Sequence, residues 1–292
     1  MNPLLKTLLG QKPVITDGAW GTELQKLGLL PGEHPDFWNL SHPERVGEVA
    51  SSYVEAGSTV ILTNTFRSNR IALGAYGQDV DVTALNAAGV HISRKAAAGR
   101  ARVFASVGPS GKMLMSGEVT EAALEEAFAE QCKALAGSGA DALLIETMSD
   151  LEEARIAVRA ARATGLPVIV SMVFDSGREK DRTMMGSTPE QVAAALGEAG
   201  ADAIGANCGL GIEGYIPVCA RLRNATSLPL WIKPNAGMPE MVNGKITYRT
   251  TPEEFARGSR DLRGAGADFI GGCCGTTPEF IRAVSAALHP AR

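Results

Sequence analysis

Short apolar runs alternate with longer helical stretches along almost the whole chain, and this alternation limits the possible folds more than any other feature. Most runs are apolar throughout rather than at every second residue, as expected of parallel strands with helices on one side and a core on the other. A Gly-Ala-Asp sequence opens three of them, which is typical of a helix that ends at glycine just before a strand. The eight predicted strands are Pro13–Ala19, Ser58–Phe66, Arg102–Pro109, Ala140–Thr147, Pro167–Phe174, Ala201–Cys208, Leu228–Gly237 and Ala267–Cys274.

Eight strands that alternate with helices over about 270 residues match the element count of a (β/α)8 barrel. The alternative is a doubly wound open sheet, but the sequence contains neither of the glycine-rich phosphate-binding motifs that accompany many such sheets. No proline- or serine-rich linker divides the 292 residues. We therefore predict an α/β chain that forms a single (β/α)8 TIM barrel over residues 1–292, with its active site at the C-terminal ends of the strands.

Helix starts repeat along the chain as well. Each repeat offers a hydroxyl to cap the helix, an early proline, and an acid or amide three residues after the cap, which together predict a capping box. The repeats are Ser41-His42-Pro43-Glu44, Thr188-Pro189-Glu190-Gln191 and Thr251-Pro252-Glu253-Glu254.

Composition excludes several classes of protein. The net charge of −4 offers no basic surface for nucleic acid or an anionic membrane. No apolar run approaches the roughly 18 residues of a membrane span. Residues 1–10 are interrupted by Lys6, so we expect an amphipathic helix there rather than a secretory signal. Five cysteines, an odd number in a large chain, argue against a disulfide scaffold, and we expect a cytoplasmic enzyme.

Three of the five cysteines lie at the predicted strand ends, where a barrel of this kind carries its chemistry. Cys132 and Cys219 lie in helical stretches instead, and we interpret both as packing residues. The polar groups at strand ends are Asp17-Gly18-Ala19, Thr63-Asn64-Thr65, Glu146-Thr147, Asn207-Cys208-Gly209, Asn235-Ala236-Gly237 and Gly271-Gly272-Cys273-Cys274-Gly275.

Three interpretations compete for Cys208, Cys273 and Cys274. A disulfide between the adjacent pair would leave Cys208 unused. A nucleophilic cysteine would want a histidine partner, and none of the four histidines falls at a strand end. A metal site fits best, because thiolates suit Zn²⁺ and three protein ligands leave the open position that a catalytic zinc needs.

The charge of such a site suggests its use. Zn²⁺ with three thiolates carries a net charge of −1, which makes it a poor Lewis acid. It suits the binding of a fourth thiolate that stays nucleophilic, whereas a free alkyl thiol with a pKa near ~8.5 is mostly protonated at pH 7. The chemistry expected of the site is therefore S-alkylation of a thiol substrate.

Three segments together resemble the homocysteine S-methyltransferase family: 17–22 (Asp-Gly-Ala-Trp-Gly-Thr), 207–209 (Asn-Cys-Gly) and 271–278 (Gly-Gly-Cys-Cys-Gly-Thr-Thr-Pro). The family includes the homocysteine-binding module of cobalamin-dependent methionine synthase and the betaine– and S-methylmethionine–homocysteine methyltransferases. The resemblance covers about residues 10–290. It implies a TIM barrel enzyme of methionine biosynthesis that activates homocysteine as a zinc-bound thiolate and methylates it to methionine.

The resemblance also implies roles for individual residues. Cys208, Cys273 and Cys274 are the expected zinc ligands, and Asn235 is a possible fourth ligand in the resting state, although Asn-Ala-Gly also makes an ordinary turn. Glu146 is expected to hold the substrate amine, since a carboxylate at a strand end is costly to bury without a partner. The remaining expected substrate contacts are Asp17, Gly18, Ala19 and Asn64; for Asp17 the alternative is that it ties down the loop after the first strand.

The methyl donor is predicted less directly. Betaine enzymes of the family have a tyrosine directly after the substrate glutamate, as part of an aromatic cage for the quaternary ammonium. Thr147 occupies that position here, and Trp20 and Trp38 leave the cage incomplete. Residues 17–22 and 271–278 look nearer the cobalamin-dependent methionine synthase module. We therefore expect methylcobalamin, or a separate corrinoid- or folate-binding protein, to serve better than betaine, with a small sulfonium such as S-methylmethionine as the alternative.

The predicted mouth of the barrel bears on this choice. Three long segments should frame it: 22–40, 67–82 and 175–187. The third carries the charge run Arg178–Arg182, which suits either an open rim for a macromolecular donor or a solvated loop tip. Two other functions stay open as well: methylation of another thiol or selenol such as selenocysteine, and a non-catalytic zinc-binding barrel that acts as a partner subunit.

Overall fold

Eight parallel strands form a barrel in the computed structural model, which describes residues 2–11, 13–77, 80–242 and 245–289. Residues 1, 12, 78–79, 243–244 and 290–292, which belong to the predicted domain 1–292, lie outside the described residues. The barrel strands are β1 (Val14–Ile15), β2 (Val60–Leu62), β3 (Arg102–Val107), β4 (Ala142–Met148), β5 (Val168–Met172), β6 (Ala203–Gly211), β7 (Leu230–Asn235) and β10 (Phe269–Ile270); β8 (Glu240–Val242) and β9 (Lys245–Thr247) form a separate antiparallel hairpin.

The order of strands confirms the predicted TIM barrel. Neighbours pair in parallel in the order β1-β10-β7-β6-β5-β4-β3-β2, and a parallel bridge between Thr16 and Val60 joins the two ends of that series. Every predicted run overlaps its strand, although β4 and β6 continue past the ends of their runs and β1, β2 and β10 are much shorter than predicted. Beyond that parallel bridge a side chain takes over from the backbone ladder between β1 and β2, because the Leu62 N–H donates to Asp17 Oδ2 at 2.8 Å.

Helices connect the strands and surround them. The predicted amphipathic N-terminal helix is confirmed, and its Leu5 is fully buried against residues of the barrel interior, including Trp231 and Phe269. The helices are α1 (Pro3–Leu9), α2 (Gly21–Lys26), α3 (Trp38–Ser41), α4 (Pro43–Glu55), α5 (Arg70–Gly74), α6 (Val82–Ala97), α7 (Glu121–Gly137), α8 (Leu151–Arg162), α9 (Pro189–Glu198), α10 (Ile212–Ala225), α11 (Pro252–Gly264) and α12 (Pro278–Leu288).

Two of the three predicted capping boxes are confirmed. The side chains of Thr188 and Thr251 each accept a hydrogen bond from the backbone N–H three residues later. The side chain of that later residue accepts a hydrogen bond from the backbone N–H of the threonine. The prediction for Ser41 is wrong, because Ser41 ends α3 and its hydroxyl donates to the Phe37 carbonyl, which leaves His42 at the start of α4.

The barrel directs all loops that follow its strands to one end, and the candidate site lies there. Over the described ranges, every helix is too short or too polar to cross a lipid bilayer.

Candidate metal and substrate site

The three cysteines predicted at strand ends come together at the mouth of the barrel. Their sulfur atoms all lie within 4.8 Å of one another, and the Sγ atoms of Cys208 and Cys274 are 3.9 Å apart. Tetrahedral zinc with Zn–S bonds of about 2.3 Å requires sulfur atoms roughly 3.8 Å apart. All five cysteines are free thiols, so Cys273 and Cys274 are not joined as a vicinal disulfide. The donor set and its spacing therefore fit a zinc ion.

The backbone of both cysteine segments departs from regular strand geometry. Cys208 has a φ of 61°, and the pairing of β6 with β7 shifts register just after Asn207, which turns the Cys208 side chain out of the strand pattern. Gly275 ends the second segment with a φ of 80°, and a Cβ there would lie 2.4 Å from the ring of Tyr248. A glycine is therefore required for the tight turn after the cysteine pair.

Asn235 of β7 braces the cysteine pair. Its Oδ1 accepts the backbone N–H of Cys274 at 3.0 Å, while the Cys273 N–H donates to the Pro234 carbonyl at 2.7 Å. These bonds tie the loop after β10 to its neighbouring strand. The role of Asn235 as a resting-state ligand stays a prediction.

The cluster favours one negative charge and resists more. Hydrogen bonds from Cys273 and Cys274 lower the pKa of Cys208 to about 3. The hydrogen bond to Cys208 raises the pKa of Cys274 to about 12 and that of Cys273 well above its ordinary value. A cation bound among the sulfur atoms would remove this resistance, because it favours the ionised form of all three.

Glu146, the predicted receptor for the substrate amine, is buried near the end of β4. Its Oε1 accepts the Ser106 hydroxyl at 2.5 Å, and only 8% of the residue is exposed. Burial raises the pKa of Glu146, and Lys233 and Ser106 act in the opposite direction. The carboxylate thus has one short partner, in a place where an incoming ammonium group would be strongly favoured.

Asp17 is completely buried and bonded to donors of the chain. It accepts Lys233 Nζ at 2.5 Å, Trp20 Nε1 at 2.8 Å and the Leu62 N–H at 2.8 Å. These bonds match the alternative for Asp17, a residue that ties down the loop after β1. Its direct contact with substrate stays a prediction.

Lys233 is a site residue that the sequence analysis missed. Burial opposes its charge, but Asp17 and Glu146 outweigh burial and raise the pKa of Lys233 above its ordinary value. The missed signal was a lysine in the middle of an apolar strand, β7, where an unpaired ammonium would be very costly.

The predicted backbone contacts at Gly18 and Ala19 lie against the loop of the cysteine pair. The Ala19 N–H donates to the Thr276 carbonyl at 3.0 Å. The Tyr53 hydroxyl lies 2.7 Å from the Ala19 carbonyl and 3.0 Å from that of Thr276. A Cβ at Gly18 would approach Tyr53 and Thr276 to 2.8 Å. The two segments are therefore packed without room for a side chain.

Asn64 contacts the segment that follows α2 rather than the cysteine cluster. Its Nδ2 donates to the Pro35 carbonyl at 2.9 Å and to Asn39 Oδ1 at 3.1 Å. These bonds hold two loops at the mouth together. Its role in substrate binding stays a prediction.

Asn207 is a second residue without a role in the sequence analysis. It is fully buried, and its side chain lies between Thr147 at the end of β4 and Cys273 after β10. The signal available was its place directly before Cys208, in the Asn-Cys-Gly segment.

A family model described as homocysteine S-methyltransferase matches residues 14–288 of the chain. The chain belongs to the homocysteine S-methyltransferase family. Among solved structures, it resembles the metallated form of the homocysteine methyltransferase MmuM from Escherichia coli, with a TM-score of 0.82 and 27% identity over 98% of this chain and 99% of that one. The predicted enzyme class, methyl transfer to homocysteine, is the class of this family.

Curated relatives include the methionine synthases of Mycobacterium leprae (strain TN) and Mycobacterium tuberculosis (strain ATCC 25618 / H37Rv). Each is 31% identical to this chain, over 98% and 97% of it respectively. The chain spans about a quarter of their length, 25% in each case. A more distant likeness to the carboxyl transferase domain of Rhizobium etli pyruvate carboxylase, at 15% identity and a TM-score of 0.56, reflects the fold alone.

Proposed function

We propose that this chain methylates homocysteine to methionine and that Cys208, Cys273 and Cys274 hold one zinc ion for the reaction. The observation that carries the proposal is the cluster of three sulfur atoms within 4.8 Å of one another, in a chain of this family. Bound zinc would lower the pKa of a substrate thiol, so that the sulfur stays ionised at neutral pH. Free cysteines throughout the chain suit a reducing compartment, and we propose a cytoplasmic location.

The chain itself contributes binding and orientation. Glu146 receives the substrate ammonium, because Lys233 already pairs with Asp17 and one buried carboxylate is left without a full counter-charge. Asp17, held by three donors, fixes the backbone of Gly18 and Ala19 for the amino-acid end of the substrate. In the reaction the substrate sulfur forms a bond to the methyl carbon as the bond from carbon to the donor's leaving group breaks. No side chain is needed as an acid or base, since the attacking sulfur carries no proton.

Zinc content tests the metal site. Protein purified without added metal should contain close to one zinc per chain, and Cys274→Ser should lose most of it, since two thiolates and a hydroxyl bind zinc weakly. Elemental analysis measures the content. The control is Cys219→Ser, whose thiol is buried between α10 and the Leu262 carbonyl, outside the cluster.

The barrel should survive metal loss, because Cys208, Cys273 and Cys274 lie outside its buried apolar clusters, and circular dichroism should be nearly unchanged. Wild-type protein that carries no zinc and takes up none on titration would contradict the metal assignment.

Glu146→Gln tests the amine site. A hydrogen bond to a charged group contributes about 1.5–3 kcal/mol, so homocysteine binding should weaken by one to two decades while zinc content stays the same. Equilibrium dialysis with zinc-loaded protein gives the dissociation constants. Glu153→Gln is the matched control, because Glu153 is a buried glutamate of α8 that accepts the Ser110 N–H at 2.7 Å.

Equal binding of homocysteine by Glu146→Gln and wild type would show that Glu146 is structural.

We further propose that the methyl group comes from a separate protein that carries a corrinoid or a folate. Support comes from the mouth of the barrel, where the segments between a barrel strand and its following long helix, after β1, β3, β5 and β7, carry every large apolar side chain that is exposed among the described residues. Exposed apolar side chains around one face are typical of a protein-binding surface. They are Leu30, Leu40, Met113, Met115, Met184, Met238, Met241 and Ile246.

The charged residues 178–182 at this mouth fall into an exposed part and a bonded part. The side chains of Arg178 and Glu179 are 96% and 78% exposed, whereas Asp181 is bonded to Arg221 of α10. The tip is solvated, and the base of the loop is held in place. Trp38 is unsuited to a cage for betaine, since it is 4% exposed and His42 and Arg45 lie over its ring.

A panel of donors tests this proposal. Initial rates with homocysteine should be higher with methylcobalamin than with betaine at equal concentration, because Thr147 stands in place of the cage tyrosine and Trp38 is buried. Cys274→Ser supplies the background rate for each donor. Efficient turnover with betaine and none with methylcobalamin would contradict the donor assignment while leaving the acceptor assignment intact.

A further inference from the structure

The side-chain amide of Asn207 uses its full capacity for hydrogen bonds, although it is completely buried. Its Oδ1 accepts the Thr147 N–H at 2.9 Å and the Ser171 hydroxyl at 2.6 Å. Its Nδ2 donates to Thr147 Oγ1 at 2.7 Å and lies 3.9 Å from the Sγ of Cys273. One amide thus connects the ends of β4 and β5 with the cysteine pair after β10.

The orientation of this amide is fixed by the backbone. A backbone N–H can only donate, so the atom of Asn207 that faces the Thr147 N–H must be the oxygen. The nitrogen therefore faces Thr147 Oγ1 and Cys273, and the sulfur of Cys273 is the acceptor. This arrangement suits a sulfur that serves as a metal-bound thiolate.

The two residues joined by these hydrogen bonds, Thr147 and Asn207, are next in sequence to the predicted amine receptor and to a predicted zinc ligand. Thr147 directly follows Glu146, and Asn207 directly precedes Cys208. Thr147 and Cys208 each have a φ of 61°, a conformation that β-branched residues such as threonine rarely adopt. Two hydrogen bonds between Thr147 and Asn207 hold Thr147 in it, one donated by the Thr147 N–H and one donated by Asn207 Nδ2. A single amide therefore ties the backbone next to Glu146 to the residue before Cys208 and to the sulfur of Cys273.

We propose that Asn207 is a positioning residue that fixes the separation between the Glu146 carboxylate and the cysteine cluster, and so selects the acceptor by its length. The inference rests on the proposed function, in which the carboxylate holds the ammonium group of the substrate and the metal holds its sulfur. Homocysteine and cysteine differ by one methylene between those two groups. If the distance between the carboxylate and the cysteine cluster is fixed, only one of the two amino acids fits. If that distance can vary, both fit.

The test is the ratio of dissociation constants for L-cysteine and L-homocysteine, measured by equilibrium dialysis under reducing conditions with zinc-loaded protein. A methylene in a fitted site discriminates by about tenfold or more, so Asn207→Ala should lower the ratio by at least about tenfold, with close to one zinc per chain retained. Thr147→Ala, which removes only the bond to Oγ1, should lower the ratio by about threefold, the effect of one hydrogen bond.

Asn86→Ala is the matched control for the loss of a buried amide. Asn86 of α6 is also fully buried, and its Nδ2 donates to the carbonyls of Ser68 and Val82, away from the cysteines. This variant should lose thermal stability as Asn207→Ala does and keep the wild-type ratio. Should Asn207→Ala fail to fold, Thr147→Ala carries the test.

The possible results separate this inference from the proposed function. Wild-type protein that loads zinc and binds neither thiol would contradict the proposed function. Wild-type protein that binds homocysteine no better than cysteine would overturn the inference alone. The inference is also overturned if the folded variants bind both thiols more weakly by equal factors, since a merely structural role of Asn207 predicts that result.

Discussion

Three cysteine sulfur atoms share one small region, and their mutual repulsion as thiolates is the constraint on which the site depends. The pKa of Cys208 falls to about 3 while the pKa of Cys274 rises to about 12, so the protein alone stabilises one negative charge there and opposes the second. Three neutral thiols could occupy the same region, but they would gain little stability from lying so close together. A soft divalent cation resolves the conflict, and the 3.9 Å between the Sγ atoms of Cys208 and Cys274 is close to the separation of about 3.8 Å in tetrahedral zinc thiolates.

A second set of buried charges supports the site from inside the barrel. Lys233 bonds to Asp17 and also lies close enough to Glu146 to oppose the rise in its pKa. Two carboxylates and one ammonium leave a net charge of −1, which the ammonium of an amino-acid substrate would neutralise. Asp17 serves the fold as well, because it bonds the Leu62 N–H at the junction of β1 and β2. The same carboxylate thus helps to close the barrel and to balance its interior charge.

Much of the fold could be predicted because continuous apolar runs indicate buried parallel strands, and each of the eight runs overlaps one barrel strand. The ends of the strands could not be predicted. After β1, for example, the backbone hydrogen bonds between strands are followed by a bond to the side chain of Asp17. The hairpin of β8 and β9 was missed, because three-residue strands with exposed Met241 and Ile246 give no burial pattern. The cysteines were predictable from their places at strand ends. Lys233 and Asn207 left only a hint in the sequence, a lysine inside an apolar strand and an asparagine before Cys208, because their roles depend on partners far away in sequence.

Calorimetry of homocysteine binding at pH 7, in buffers of different ionisation enthalpy, tests the central claim most directly. The free thiol has a pKa of about 8.5 and is mostly protonated at that pH. Zinc-loaded protein should therefore release close to one proton for each homocysteine bound, and protein stripped of zinc should bind much more weakly. Equally strong binding with and without zinc, or binding without proton release, would contradict the role assigned to Cys208, Cys273 and Cys274.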